Sequence, residues 1–158
     1  MEIMASLSSI HSALITKVAA LFPNKTQMNA NDLEDNPIQL MIDGWGIKIN
    51  SGVPVDNVHP AIDYVFATDR SISIVFTKEV YDLQANLGSY NTQAEALADD
   101  KDSLLSSMLD FNKVTGMLGG ENLLYNGDNG IEFIVSGKKR FIFIEVNFSF
   151  DLTQLINQ

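Results

Sequence analysis

Arg140-Phe141-Ile142-Phe143-Ile144-Glu145-Val146-Asn147-Phe148-Ser149-Phe150-Asp151-Leu152 is the stretch that decides the fold of this chain. Ile142, Ile144, Val146, Phe148, Phe150 and Leu152 fall on one parity, and Glu145, Asn147, Ser149 and Asp151 on the other. That period-two alternation marks a strand, and it persists well beyond the usual length of about five or six residues. Phe141 and Phe143 place rings on the second face as well, so the start of the strand needs cover on both sides. A bare edge this long and apolar invites aggregation. The strand therefore calls for partners, in its own chain or in a neighbouring one.

Working back from it, Ile131 to Val135 is expected to pair with this strand through the hairpin Ser136-Gly137-Lys138-Lys139. Lys138, Lys139 and Arg140 form a basic trio at the tip of an otherwise acidic chain. The trio reads either as a solvated tip or as a contact for an acidic partner surface. Gly116 to Gly130, rich in glycine and asparagine, reads as a loop. Before it, Asn91 to Val114 has helical spacing, with Leu97, Leu104, Leu105, Met108, Leu109 and Phe111 on an apolar face. Thr92 and Glu95 suggest a capping box at its start. Asp99, Asp100 and Asp102 in mid-segment read as a solvated face or an acidic channel lining in preference to a metal site, since no convergent partner accompanies them.

The first segment, Ser6 to Phe22, is an amphipathic helix by its stripe of Leu7, Ile10, Leu14, Ile15, Val18, Leu21 and Phe22, closed by Pro23. His11 lies on or beside that stripe and reads as a packing residue. Pro37 opens a strand in which Ile38, Leu40 and Ile42 share a face; after Asp43-Gly44 the apolar parity shifts to Trp45, Ile47 and Ile49. That shift implies a bulge or a tight turn. Ile62, Tyr64 and Phe66 alternate in one further strand and Ile72, Ile74 and Phe76 in another, with Asp69-Arg70 as a turn between them. The sum is a single α+β domain over 1–158. It has one antiparallel or mixed sheet of about four to six strands, with two main helices packed on it in the order α-β-β-β-α-β-β. Mobile loops are expected at 24–36, 50–60 and 116–130.

Composition narrows the function. A hydrophobic fraction of 46% supports a real core. No apolar run approaches the roughly twenty residues that span a bilayer. The absence of cysteine removes disulfides, zinc–cysteine sites and thiol catalysis. Twenty acidic against ten basic residues, a formal charge of −10, argue against a grip on nucleic-acid phosphates. The first residues lack the basic start and cleavage site of a signal peptide, and with no cysteine in the chain a cytosolic protein is expected. The two histidines, His11 and His59, sit beside no nucleophile signature, and with so few soft ligands neither catalysis, a metal site nor a cofactor is expected. Structural assembly is the expected role.

The order of these landmarks resembles the tail terminator proteins of long-tailed (T5-like) bacteriophages. The resemblance rests on the helix ending at Phe22-Pro23, the strands Asn36-Pro37-Ile38-Gln39-Leu40-Met41-Ile42-Asp43-Gly44 and Arg70-Ser71-Ile72-Ser73-Ile74-Val75-Phe76, the helix around Leu97 to Phe111, and the closing hairpin. It covers the layout of almost the whole chain, with no signature motif. The family implies a virion tail protein, assembled in the host cytoplasm, that forms a hexameric ring on the last ring of tail tube protein. Such a ring stops polymerisation and presents a joint to a head-completion protein. It would be monomeric or weakly associated in isolation and would bind no specific nucleic acid, while DNA passes its acidic lumen. The runner-up resemblance is to the small acidic chaperones of type III secretion, which dimerise and bind an unfolded effector segment; they usually finish with another helix, for which Asp151 to Gln158 offers only a stub.

Overall fold

A computed structural model of the chain describes residues 7–28, 43–50, 53–54, 65–80, 87–115, 124–136 and 139–155, with side chains over 10–28, 43–50, 71–80, 91–108, 124–135 and 140–149. Helix α1 is Leu7–Leu21, followed by strands β1 (Thr26–Gln27), β2 (Asp43–Ile49), β3 (Val53–Pro54) and β4 (Val65–Val80). Helix α2 is Leu87–Thr115, and the strands β5 (Leu124–Ser136) and β6 (Lys139–Leu155) complete the described elements. The strands make one mixed sheet in the order β1-β2-β4-β6-β5, with β3 also paired to β4. This is the α+β architecture that the hydrophobic pattern requires.

The long C-terminal strand finds both of its partners inside the chain. β6 lies between β4 and β5, antiparallel to each. All sixteen residues of β4 are in register with it, from Val65↔Leu155 to Val80↔Arg140. At about 3.3 Å per residue this ladder is roughly 50 Å long. The turn expected at Asp69-Arg70 is absent: these residues stand opposite Asp151 and Phe150 within the ladder. The even-numbered parity runs unbroken through this point, and a partner as long as β6 supplies hydrogen bonds that outweigh a local turn preference.

Asp43-Gly44 is likewise neither bulge nor turn but the regular start of β2, opposite Lys78 and Thr77. The irregularities fall elsewhere. Between Ile49↔Ile72 and Val53↔Asp69 the register with β4 differs by one residue. The glycine- and asparagine-rich stretch assigned to a loop up to residue 130 is strand from Leu124 on. It carries register shifts between Tyr125 and Asp128 and between Asp128 and Ile131. Gly127 and Gly130 take positive φ there, 91° and 75°, a region that side-chain-bearing residues avoid. Helix α2 begins at Leu87, so Thr92 and Glu95 lie inside it on an exposed face and do not cap it. Within the loops expected at 24–36 and 50–60, Thr26–Gln27 and Val53–Pro54 are instead short strands paired to β2 and β4. The strand expected from Pro37 to Ile42, Ile62 and Tyr64 of the next one, and the rest of the expected loops (29–36, 51–52, 55–60 and 116–123) lie outside the described residues.

The two faces of the sheet differ. On one, α1 contributes Ile10, Leu14 and Val18 and α2 contributes Leu97, Leu104 and Met108. They pack on Trp45, Ile47, Ile72, Ile74 and Phe76, and on Ile142, Ile144, Val146 and Phe148 from β6, all buried. Phe22 meets Phe76 edge-on, with ring centroids 5.1 Å apart. His11 is half-buried on α1, in the packing position expected for it. The opposite face holds a smaller cluster of Met28, Val75, Phe141 and Phe143 with Ile134 against it. That cluster is the second-face cover that the rings of Phe141 and Phe143 call for.

Candidate functional site

Three constellations gather polar or exposed side chains on this frame. The first lies on the helix face at the start of β2. Lys78 falls on the same parity as Ile72, Ile74 and Phe76 and is carried into the apolar layer. Asp43, directly across the strand pair, accepts a hydrogen bond from its Nζ at 2.9 Å. Lys25, placed by the turn after α1, also bonds Asp43 Oδ1. Asp100 of α2 brings its Oδ2 to 2.9 Å from Lys25 Nζ and 3.9 Å from Lys78 Nζ. It faces both ammonium groups, closest to Lys25, and adds a second negative charge to the cluster. The lysine side chains are only 7% and 10% exposed, against 17% for Asp100 and 44% for Asp43. Burial acts to lower the Lys25 pKa, and its contacts with Asp43 and Asp100 overcome that and leave it raised. Burial acts to raise Asp43, but the hydrogen bonds from Lys25 and Lys78 hold its carboxyl below the ordinary value. The cluster ties α1, α2 and the sheet together; its four charges balance, and it offers no free group for chemistry.

The second constellation crosses the opposite face as a belt perpendicular to the strands. Asn50 Nδ2 donates to Ser73 Oγ at 3.0 Å, and Ser73 Oγ donates to Asn147 Oδ1 at 2.7 Å. Asn147 Nδ2 donates to Asn129 Oδ1 at 3.1 Å, and Asn129 Nδ2 donates to Glu145 Oε2 at 2.8 Å. Glu145 returns to the first edge through Lys48, 3.2 Å away. The belt therefore links β2, β4, β6 and β5. It satisfies the fully buried Ser73 hydroxyl and fixes strand register by complementarity of polar groups.

The third is the outer strand, β5. Its bulges turn successive residues to opposite faces, sending Asn129 to the belt and Asp128 toward α2. Asp128 accepts a hydrogen bond from Lys101 Nζ at 3.0 Å and another from the Gly130 N–H at 2.8 Å, which hold its carboxyl below the usual value. Beyond this anchor β5 exposes Leu124, Tyr125, Phe133 and Val135, the last two 50% and 63% accessible. No model of a known protein family matches the chain, and a search of curated proteins returns no match.

The residues singled out by sequence distribute unevenly over these sites. Ile142, Ile144, Val146 and Phe148 are core; Phe150 pairs with Arg70 in the ladder, and its side chain is outside the described residues. Asp99, Asp100 and Asp102 do not share one face: Asp99 and Asp102 are exposed, whereas Asp100 turns inward to the lysines. Arg140 is half-buried opposite Val80 and Val135. Lys139 is placed only by its backbone, opposite Ser136, and Lys138 lies outside the described residues. Among the described residues no three His, Cys, Asp or Glu side chains come together as a metal site would require, and no described helix is long and apolar enough to cross a membrane. The ion cluster escapes a sequence reading because its members come from four separate segments. Its one signal is Lys78, a charge standing in an apolar row. The polar belt had a fainter signal in the small polar residues of the second parity.

Proposed function

We propose that this chain is a structural virion protein of the tail terminator kind. Its copies form a hexameric ring that caps the tail tube, stops tube polymerisation and makes the joint to the head. The observation that carries the reading is the exposed apolar flank of β5. Phe133 and Val135 share a face at its hairpin end, and Leu124 and Tyr125 are exposed at its other end; large apolar side chains left open on a rim strand are what a subunit buries on assembly, since isolated domains keep such patches small. The α+β layout has both helices on one face and a long central C-terminal strand, an order of elements compatible with a tail terminator. A formal charge of −10 suits a lumen through which DNA slides without adhering. The partners on this reading are the tail tube protein on one side and a head-completion protein on the other. The place of action is the virion tail, after assembly in the host cytoplasm.

Light scattering and electron microscopy of the purified chain, with and without purified tail tubes, test the proposal. The expected result is a monomer or weak oligomer alone and discrete rings at tube ends when tubes are added. A stable dimer indifferent to tubes refutes it and fits the acidic secretion-chaperone reading instead.

A further inference from the structure

The described surface carries unpaired charge of both signs in separate places. On α2, Glu95, Asp99 and Asp102 recur at four- and three-residue steps and so lie on one stripe; all three are exposed, and none is in an ion pair among the described residues. At the hairpin end of β5 and β6, Phe133 and Val135 are exposed, and Arg140 stands directly across from Val135 with no carboxylate partner among the described residues. Lys139, whose backbone stands opposite Ser136, adds a second basic residue to this end of an acidic chain. Lys101, next to Asp102 in sequence, is already committed to Asp128.

We infer that these two surfaces are the halves of one interface: the apolar, basic hairpin end of one copy docks on the Glu95–Asp99–Asp102 stripe of a second copy. The occupant is another copy because the chain itself supplies the complement of each surface. At a net charge of −10 per chain, copies repel in most orientations, and this juxtaposition is one that sets cation against anion around a desolvated apolar centre. The two patches are different, so the contact is head-to-tail. It propagates from copy to copy and closes into a ring where the rotation permits, or continues as a filament where it does not. The inference deepens the proposed ring and rests on it for the biological setting, though not for the contact itself.

The test uses two variants of the full chain. One reverses the stripe (Glu95→Lys, Asp99→Lys, Asp102→Lys) and the other reverses the tip (Lys139→Glu, Arg140→Glu). All five positions lie at exposed or half-buried surface or at the strand end, and circular dichroism melts check that each variant folds. Sedimentation velocity of the wild type should show association that weakens with added salt. Each variant alone should lose it by tenfold or more, and an equimolar mixture of the two should recover it, because each then offers the surface the other needs. A cross-link between Val135→Cys and Asp99→Cys chains, clean in a protein without cysteine, should form faster than either homodimer. Absence of association by the wild type up to about 1 mM, where the weakest specific contacts are populated, overturns the inference. So does normal association of both variants, failure of the mixture to recover, or loss of tube binding with self-association intact. Rings that cap tubes despite both reversals would leave the terminator reading standing and remove this interface. Salt-sensitive, complementing self-association with no effect on tubes would do the reverse.

Discussion

Replacing Asp43 by Asn keeps the shape of the side chain and removes the charge that two buried ammonium groups share. Lys25 and Lys78 would then have only Asp100 between them, at 2.9 and 3.9 Å. Removing one partner of a fully buried pair costs about 3–5 kcal/mol, whereas an exposed pair is worth about 0–1 kcal/mol. Asp43 is 44% exposed while the cations it serves are almost wholly buried, so the loss should fall between, at about 1–3 kcal/mol. For a domain of this size that corresponds to a melting temperature lower by roughly 2–12 °C. The discriminating experiment is a double-mutant cycle in urea with Lys78→Met. In the Asp43→Asn background that second change removes an uncompensated cation and puts an apolar side chain beside Phe76's layer. It should therefore restore most of the loss, with a coupling of about 1–2 kcal/mol. Strict additivity, or a single-variant loss below about 0.5 kcal/mol, which is the noise of such measurements, would refute the assignment of the cluster as a tertiary lock.

Ile144→Asp or Phe148→Asp should abolish folding, because each buries a charge in the apolar row; a soluble variant with a cooperative melt would contradict the placement of β6 at the centre. The milder Phe148→Ala should cost about 3–5 kcal/mol, measured as a shift in urea midpoint at constant slope. Gly130→Ala should cost about 1–2 kcal/mol from its positive φ alone, since a Cβ there meets nothing within 4 Å, and Gly130→Asn should cost less because Asn tolerates that region. Asp43 and Asp128 have lowered pKa values, so their contribution is complete above the unfolded value of about 3.9 and is lost as pH falls through the folded values. Lys25 and Lys101 are raised, so theirs is complete below about 10.4 and is lost as pH rises through the folded values. Melting curves should therefore be flat with respect to these four groups from about pH 5 to 9 and fall at both extremes.

Periodicity alone marked the main apolar rows of this protein's core. The even parity of Ile142 to Phe148 and the helical stripes through Leu14 and Leu97 depend only on where consecutive side chains point, and that is a local property of backbone geometry. Tertiary structure decided what those elements meet. β4 runs straight through Asp69-Arg70 because β6 is there to pair with it, and Leu124 to Gly130 is strand because β6 has a second edge to fill. Asp100 left its acidic neighbours because Lys25 and Lys78, distant in sequence, converge beneath it. The same holds for the belt from Asn50 to Glu145 and for the exposed flank of β5. A side chain's charge partner or solvent exposure depends on which segment arrives from elsewhere, and no window of neighbouring residues encodes that arrival.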